Sequence, residues 1–359
     1  MNFIMNYALI GCGRVSSCHI EAAIHNNLEI VCVCDIKRER AESLARRYHL
    51  SCNIYTDYTL MLRNEKIDLV AIATDHCLHA EMALYAIRNK IHVMIEKPIA
   101  LSLEEADQII GQSKENGVKL TVCHQNRFNK SIQKVRRALE DGKFGKLYYG
   151  TAHARWSRSD EYYRLANWRG TWEGEGGSLI TQCIHNIDLL AWMLGSEATE
   201  VFAYADLVKH RDIEIDDLSL GIVKFKNGAY GTIESTTTVY HENLEGSMCL
   251  FGETGTVKTG GAANNRIDAW KFSGDEEDAQ AVMEEYFEAP LNVYGNGHKG
   301  LYADMLHSIL SGEEPCVTGE DGKKALEIIF GMYLSAKLHM PVKLPLHNCR
   351  STDFTGLLK

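Results

Sequence analysis

A short apolar run at 7–10, the turn Gly11-Cys12-Gly13-Arg14-Val15-Ser16, and apolar Val15, Ile20, Ala23 and Ile24 at helical spacing commit the start of this chain to strand, glycine turn and helix. Gly11 permits the tight turn. Gly13 lets the backbone approach a pyrophosphate, and the helix N-terminus offers N–H groups and the positive end of its dipole. Ser16 stands where a third glycine is usual and is small enough for close packing. A second apolar run at 29–34 delivers Asp35 about 20 residues after the turn, where a carboxylate accepts hydrogen bonds from an adenosine ribose. NAD is therefore the first choice of cofactor. Lys37 and Arg38 follow directly, so NADP is the alternative if either turns toward a 2′-phosphate.

The chain of 359 residues exceeds one ordinary domain, so two domains sharing a cleft are expected. A net charge of −10 and the lack of any long Lys/Arg run argue against nucleic acid as a partner. The 11 cysteines are scattered, odd in number and without a C-x-x-C pair, which fits reduced thiols and a cytoplasmic location. Neither a signal peptide nor a run long enough to span a membrane is apparent.

Up to residue 123, apolar strands at 69–73, 91–95 and 119–123 alternate with helices at 79–88 and 103–114, the pattern of a doubly wound parallel sheet. After a helix near 131–139 the texture changes. Strand-like stretches at 147–156, 199–208, 218–225, 229–237 and 247–251 suggest a large, mainly antiparallel open sheet, closed by a helix at 323–338. The expected architecture is α/β: a Rossmann domain over 1–123, a substrate-binding and oligomerisation domain over 124–345, and a tail over 346–359.

Two places carry chemistry. Glu96-Lys97-Pro98 follows a strand at the sheet edge where open α/β folds bind ligands. Pro98 can take the cis form and aim Lys97, whose amine suits a general base or a polarising cation. Beside that stands the plain reading of a surface lysine at a helix start. In the second place, over 174–194, Leu179, Ile180, Cys183, Ile184, Ile187, Leu190, Ala191 and Leu194 define a buried helical face, while Thr181, His185 and Asp188 form a polar stripe near Ser178 and Gln182. Hydroxyl, amide, imidazole and carboxylate suit a cavity wall better than a solvated face. Upstream, Tyr162-Tyr163-Arg164 and Trp168-Arg169-Gly170-Thr171-Trp172 offer rings for stacking and a guanidinium for a phosphate or carboxylate; packing alone explains the tryptophans equally well. His76-x-x-His79 and His185-x-x-Asp188 have ligand spacing but no evident third ligand, so no metal is expected.

Gly11-Cys12-Gly13, Asp35, Ala73-Thr74, His79-Ala80-Glu81, Glu96-Lys97-Pro98, Gly176-Gly177, Ile184-His185-x-Ile187-Asp188 and Pro341-Val342-x-Leu344-Pro345 together resemble the glucose–fructose oxidoreductase and inositol dehydrogenase (Gfo/Idh/MocA) superfamily over nearly the whole chain. The resemblance implies hydride transfer between a sugar or cyclitol hydroxyl carbon and a nicotinamide, in a homodimer or homotetramer. It makes Lys97 and His185 the proton-handling groups, with the primary base left open. Cofactor contacts are expected from Gly11, Gly13, Arg14, Val15, Asp35 and Ile36, and from Thr74, His79, Glu96, Lys97 and Gln125. Substrate contacts are expected from Tyr163, Arg169, Thr181, Gln182 and His185.

Thr181 replaces the aspartate common four residues before the histidine in inositol dehydrogenases. The run from Trp168 to Trp172 with Gln182-x-Ile184-His185 is instead similar to the branch holding nucleotide-sugar 3-dehydrogenases. Oxidation of a pyranose ring hydroxyl, at C3, of a sugar or nucleotide sugar is therefore expected. The alternatives are an inositol or other cyclitol or diol dehydrogenase, an NADP-dependent reductase of diols or imines, and a non-catalytic cofactor-binding sugar sensor.

Overall fold

The computed structural model describes residues 4–195, 197–274, 277–289 and 294–358. In chain order its elements begin β1 (Asn6–Ile10), α1 (Ser16–His25), β2 (Glu29–Cys34), α2 (Arg38–Arg47), β3 (Asn53–Tyr55), α3 (Tyr58–Asn64), β4 (Leu69–Ile72), α4 (His79–Arg88), β5 (His92–Ile95), α5 (Leu103–Asn116) and β6 (Leu120–Val122). There follow α6 (Lys130–Glu140), β7 (Leu147–Arg155), α7 (Asp160–Arg164), α8 (Ile184–Leu194), β8 (Ala198–Asp206), β9 (Leu218–Phe225), β10 (Tyr230–Thr236), β11 (Glu245–Gly252), β12 (Gly255–Gly260) and β13 (Arg266–Phe272). The chain closes with α9 (Ala279–Glu285), α10 (His298–Ser311), α11 (Gly319–Leu338) and β14 (Val342–Lys343).

Two compact units result: Met1–His124 with His298–Lys323, and Gln125–Gly297 with Lys324–Lys359. In the first, six strands pair in the order β3-β2-β1-β4-β5-β6, and every pairing is parallel. This is the doubly wound order in which the chain reverses direction beside β1. Strands β1 and β4 are buried almost throughout, as a sheet covered on both faces requires. Helix α10 joins this unit from some 170 residues further along, packing on α1. The boundary expected at residue 123 does not foretell that return. At the end of α5, Gly117 takes φ +66° as a left-handed cap.

The second unit is built on eight strands in the order β13-β12-β11-β7-β10-β9-β8-β14. One pair, β7 with β10, is parallel; the others are antiparallel. Strand β9 alternates buried and exposed positions along Leu218–Phe225, so one sheet face is covered and the other open. The open face exposes Tyr149, Tyr204, Leu220, Ile222 and Tyr230. Within the stretch set apart above as a tail, Phe354 is buried against Trp172, Phe330 and Tyr333. All 11 cysteines are unbridged, and no helix of the described residues is long and apolar enough to cross a membrane.

Candidate active site

In the first unit the turn after β1 is held by backbone geometry. Gly11 has φ +97°, and a Cβ there would lie 2.3 Å from the Ala73 carbonyl oxygen, so only glycine fits. A Cβ on Gly13, by contrast, would meet nothing within 4 Å. Close approach of the protein to itself thus demands the first glycine, and the second leaves space for a ligand. Ser16 donates its hydroxyl to the Gly13 carbonyl at 2.6 Å, tying the turn to α1, and no side chain caps that helix. Arg14 is exposed and Val15 half-buried beside the open turn.

Asp35, at the end of β2, is buried and accepts from the Cys12 N–H at 2.9 Å and the Lys37 N–H at 2.8 Å. Its carboxylate braces the glycine turn and still has lone pairs for a ribose. Ile36 is 86% exposed next to it. Arg38 is engaged by Glu42 at 3.0 Å within α2, which speaks for NAD over NADP. These features fit a dinucleotide: an uncapped helix start, an open glycine and a buried carboxylate at the neighbouring strand end.

At the end of β5 the Lys97–Pro98 peptide is cis, as the motif anticipates. Lys97 is half-buried. Glu96 is buried, with Oε1 3.2 Å from His19 Nε2 and 3.6 Å from His298 Nε2. Burial alone would push this carboxyl up, but the two imidazoles more than offset it and hold it well below the usual carboxylate range. His79 lies fully inside, Nδ1 2.7 Å from the Pro98 carbonyl and Nε2 3.2 Å from the Thr74 carbonyl. It staples the Glu-Lys-Pro loop to the loop after β4, with burial pushing its pKa down. Both ring nitrogens thus face backbone carbonyls inside the protein, and the single N–H of the neutral imidazole donates to one of them. Thr74 itself is half-buried. Among the described residues His19, Glu96 and Cys123 form a group close enough to hold an ion, their ligand atoms within 4.8 Å of one another. Burial and the Glu96 charge push the Cys123 thiol well up.

In the second unit a π-helical turn, Leu179–Cys183, leads into α8, a distortion frequent at functional sites. It breaks the even spacing read from the sequence. Thr181 and His185 are half-buried, but Asp188 is buried and holds Arg127 through two bonds, Nε to Oδ2 at 2.8 Å and Nη2 to Oδ1 at 2.5 Å. Asp188 therefore leaves the polar stripe for the core. Gln125, at the start of this unit, is buried and donates to the Tyr294 carbonyl at 3.2 Å.

Gln182 is buried at the centre of a different cluster. Its amide oxygen accepts from Arg158 Nη2 at 2.6 Å, and its amide nitrogen lies 3.1 Å from the Tyr162 hydroxyl. Arg169 also bonds that hydroxyl, its guanidinium 4.3 Å from the Tyr162 ring centre and 4.4 Å from the Trp168 ring centre. Arg158 lies over Trp156 at 4.9 Å and over Tyr162 at 5.1 Å. Among the described residues neither arginine has a carboxylate within ion-pair distance. Tyr163, expected to touch substrate, is buried instead, its hydroxyl 3.2 Å from that of Thr237. The adjacent Tyr162 occupies the cluster. Arg158, just past β7, went unnoticed because an arginine at a strand end carries no motif. Trp172 is fully buried against Tyr333, so for it the packing reading holds.

Comparison with known proteins agrees with this geometry. Residues 5–124 match the model of the oxidoreductase family with NAD-binding Rossmann fold, and residues 132–258 match the GFO/IDH/MocA C-terminal domain. The crystal structure of the WlbA dehydrogenase from Bordetella pertussis in complex with NADH and UDP-GlcNAcA is 34% identical, covers 97% of this chain and 99% of its own, and superposes with a TM-score of 0.88. Myo-inositol 2-dehydrogenase of Thermotoga maritima is 25% identical over 95% of this chain and 98% of its own. The scyllo-inositol 2-dehydrogenase (NAD(+)) of Bacillus subtilis is 26% identical over 94% and 95%. With both halves matched and the glycine turn, Glu-Lys-Pro loop and α8 histidine in place, the chain belongs to the Gfo/Idh/MocA family of NAD-dependent oxidoreductases.

Proposed function

We propose that this protein oxidises a ring hydroxyl, at C3, of a nucleotide sugar that carries an acidic group. The carrying observation is the pair of guanidiniums, Arg158 and Arg169, set on aromatic rings, bonded to Gln182 and Tyr162, and without a carboxylate partner among the described residues of a chain of net charge −10. Such a pair is completed by an anion on the ligand, a sugar carboxylate or a diphosphate. An uncharged cyclitol would leave it unmatched. The similarity to a dehydrogenase crystallised with NADH and UDP-GlcNAcA supports the same reading.

When bound at the glycine turn, NAD⁺ supplies the hydride acceptor. Gly13 leaves room for the pyrophosphate, Asp35 meets the ribose, and Arg14, Val15, Ile36, Thr74 and Gln125 complete the cofactor's surroundings, with Glu96 acting from behind the loop. His79 contributes indirectly, by bracing the Thr74 and Pro98 carbonyls. Lys97 and His185 handle the hydroxyl proton; a charged amine polarises the hydroxyl and an imidazole is suited to accept its proton near neutral pH. Gln182 and Thr181 orient the sugar with Arg158 and Arg169, and orientation lowers the barrier by fixing the reacting hydroxyl. The open apolar sheet face supports a homodimer or homotetramer, which light scattering tests.

The decisive assay offers NAD⁺ with UDP-N-acetylglucosaminuronic acid, UDP-N-acetylglucosamine and myo-inositol, and follows the reduced-nicotinamide band. The acidic nucleotide sugar is expected to give the fastest reduction. Lys97→Met is expected to keep NAD affinity and lose about 100-fold or more in turnover. Equal rates with myo-inositol overturn the substrate class, and binding without any spectral change identifies a sensor.

A further inference from the structure

Behind the Glu-Lys-Pro loop lies a set of buried polar groups that cofactor binding does not explain. His19 of α1 is fully buried. Its Nε2 faces Glu96 at 3.2 Å and its Nδ1 lies 2.7 Å from the Tyr302 hydroxyl, which in turn lies 2.7 Å from the Tyr7 hydroxyl. His298 sits edge-on to His19, ring centres 5.3 Å apart, and reaches the same Glu96 oxygen at 3.6 Å. His298 and Tyr302 are four residues apart on α10, so both point from one helix face into this unit. The other carboxylate oxygen, Glu96 Oε2, accepts from the Lys97 N–H at 3.2 Å. Hydrogen bonds and close polar contacts thus run from α10 and α1 to the backbone of Lys97.

Burying a carboxylate, two imidazoles and two phenols together is costly, and well-packed apolar residues serve stability as well or better. The groups facing Glu96 come from every neighbouring element: His19 of α1, with Glu21 acting on His298; His298 and Tyr302 of α10; Cys123 after β6; His79 of α4; and the backbone N–H of Lys97. Burial pushes the Cys123 thiol and the Tyr302 phenol up and the His298 imidazole down, keeping these three neutral. Glu96 is left as a fixed negative charge bonded to the backbone N–H of Lys97.

We propose that His298 and Tyr302 are positioning residues for the reaction: acting with His19, they hold Glu96 as the counter-charge that fixes Lys97 for its proton chemistry. The proposal rests on the reading of Lys97 given above, and it assigns α10 a part in the active site.

The test titrates Lys97 directly. With the full chain carrying ¹³Cε-labelled lysine, the Lys97 signal, identified by its loss in Lys97→Met, is followed against pH by NMR. Variants are His298→Leu, His298→Gln and Tyr302→Phe. His298→Leu and Tyr302→Phe are expected to lower the Lys97 pKa by about half a unit or more, because Glu96 is less firmly held as an anion. Turnover with NAD⁺ and the acidic nucleotide sugar is expected to fall roughly 10- to 100-fold with the KM for NAD⁺ unchanged. His298→Gln, which keeps a donor at that place, is expected to restore most of both. A wild-type Lys97 titration in folded His298→Leu and Tyr302→Phe overturns the inference. So does a loss of thermal stability that His298→Gln shares equally with no titration shift. If Lys97→Met retains turnover, the catalytic reading of Lys97 falls first; if Lys97→Met is inactive and the α10 variants match wild type, only this inference falls.

Discussion

Helix α8 and the turn leading into it meet two arginine-rich environments, and the two treat positive charge in opposite ways. On one side Arg127 and Asp188 are 3% and 2% exposed and closed upon each other, with Trp192 stacked 4.9 Å from the guanidinium. On the other, Arg158 and Arg169 are half-buried and stacked on rings, and the polar groups they meet are an amide, a phenol, an amide side chain and a backbone carbonyl. A guanidinium matched by a carboxylate inside the fold has its charge answered by the fold. One matched only by neutral dipoles has charge left for a ligand.

The largest expected effect breaks the closed side. Arg127→Ala strands the Asp188 carboxylate in the core, and the loss of stability is expected at about 3–5 kcal/mol, read as a lower midpoint of urea unfolding. If the comparison is right, the surviving folded fraction keeps its KM for substrate. A variant as stable as wild type would mean that water or another cation reaches Asp188.

The open side is expected to respond the other way. Arg158→Ala removes a charge-assisted bond worth about 1.5–3 kcal/mol to the ligand, roughly a 10- to 100-fold rise in KM for an acidic nucleotide sugar. The unfolding midpoint is expected to move little, because no carboxylate is orphaned. An equal KM rise for an uncharged sugar would show that Arg158 shapes the site without reading charge.

How much of this was legible in the sequence depended on whether the determining contact is local. The glycine turn, its strand and its helix lie within about 20 consecutive residues, and local sterics at Gly11 dictate them, so the Rossmann half was plain. The Glu-Lys-Pro loop was legible as a motif. His298 and Tyr302 were not, since their approach to Glu96 depends on α10 returning to the first unit across a long stretch of chain. The π turn at Leu179–Cys183 was hidden for another reason. It turns Thr181 relative to His185 while leaving the apolar pattern nearly intact; Asp188, three residues beyond His185 in regular α8, binds Arg127, a partner 61 residues away that no local spacing reveals. Helix α7 has five residues, too few for periodicity to say which of Tyr162 and Tyr163 faces inward.

A more gradual effect follows from buried imidazoles in both units. Burial pushes His79, His298 and His210 below the ordinary histidine pKa. Below about pH 6.5 the unfolded chain takes up protons at these residues that the folded chain resists. Their contribution is fully present above that pH and is lost as the pH falls through it. Urea midpoints are expected to decline from pH 7.5 to 5.5 by less than the Arg127→Ala loss. A flat profile would mean these rings accept protons in place.

The smallest effect separates two neighbouring tyrosines. Tyr163 is buried, its hydroxyl facing Thr237 and its ring edge-on to His210 at 5.0 Å, and burial pushes its phenol up. Tyr162, by contrast, is half-buried and shares its hydroxyl with Gln182 and Arg169. Tyr163→Phe keeps the ring and leaves the Thr237 hydroxyl without that partner, a cost of about 1 kcal/mol in stability with KM unchanged. Tyr162→Phe is expected to raise KM several-fold at similar stability, because the two guanidiniums lose the oxygen that sets their spacing. If the two outcomes are exchanged, with Tyr163→Phe raising KM and Tyr162→Phe changing only stability, then Tyr163 reaches substrate and the open side of α8 is drawn around the wrong ring.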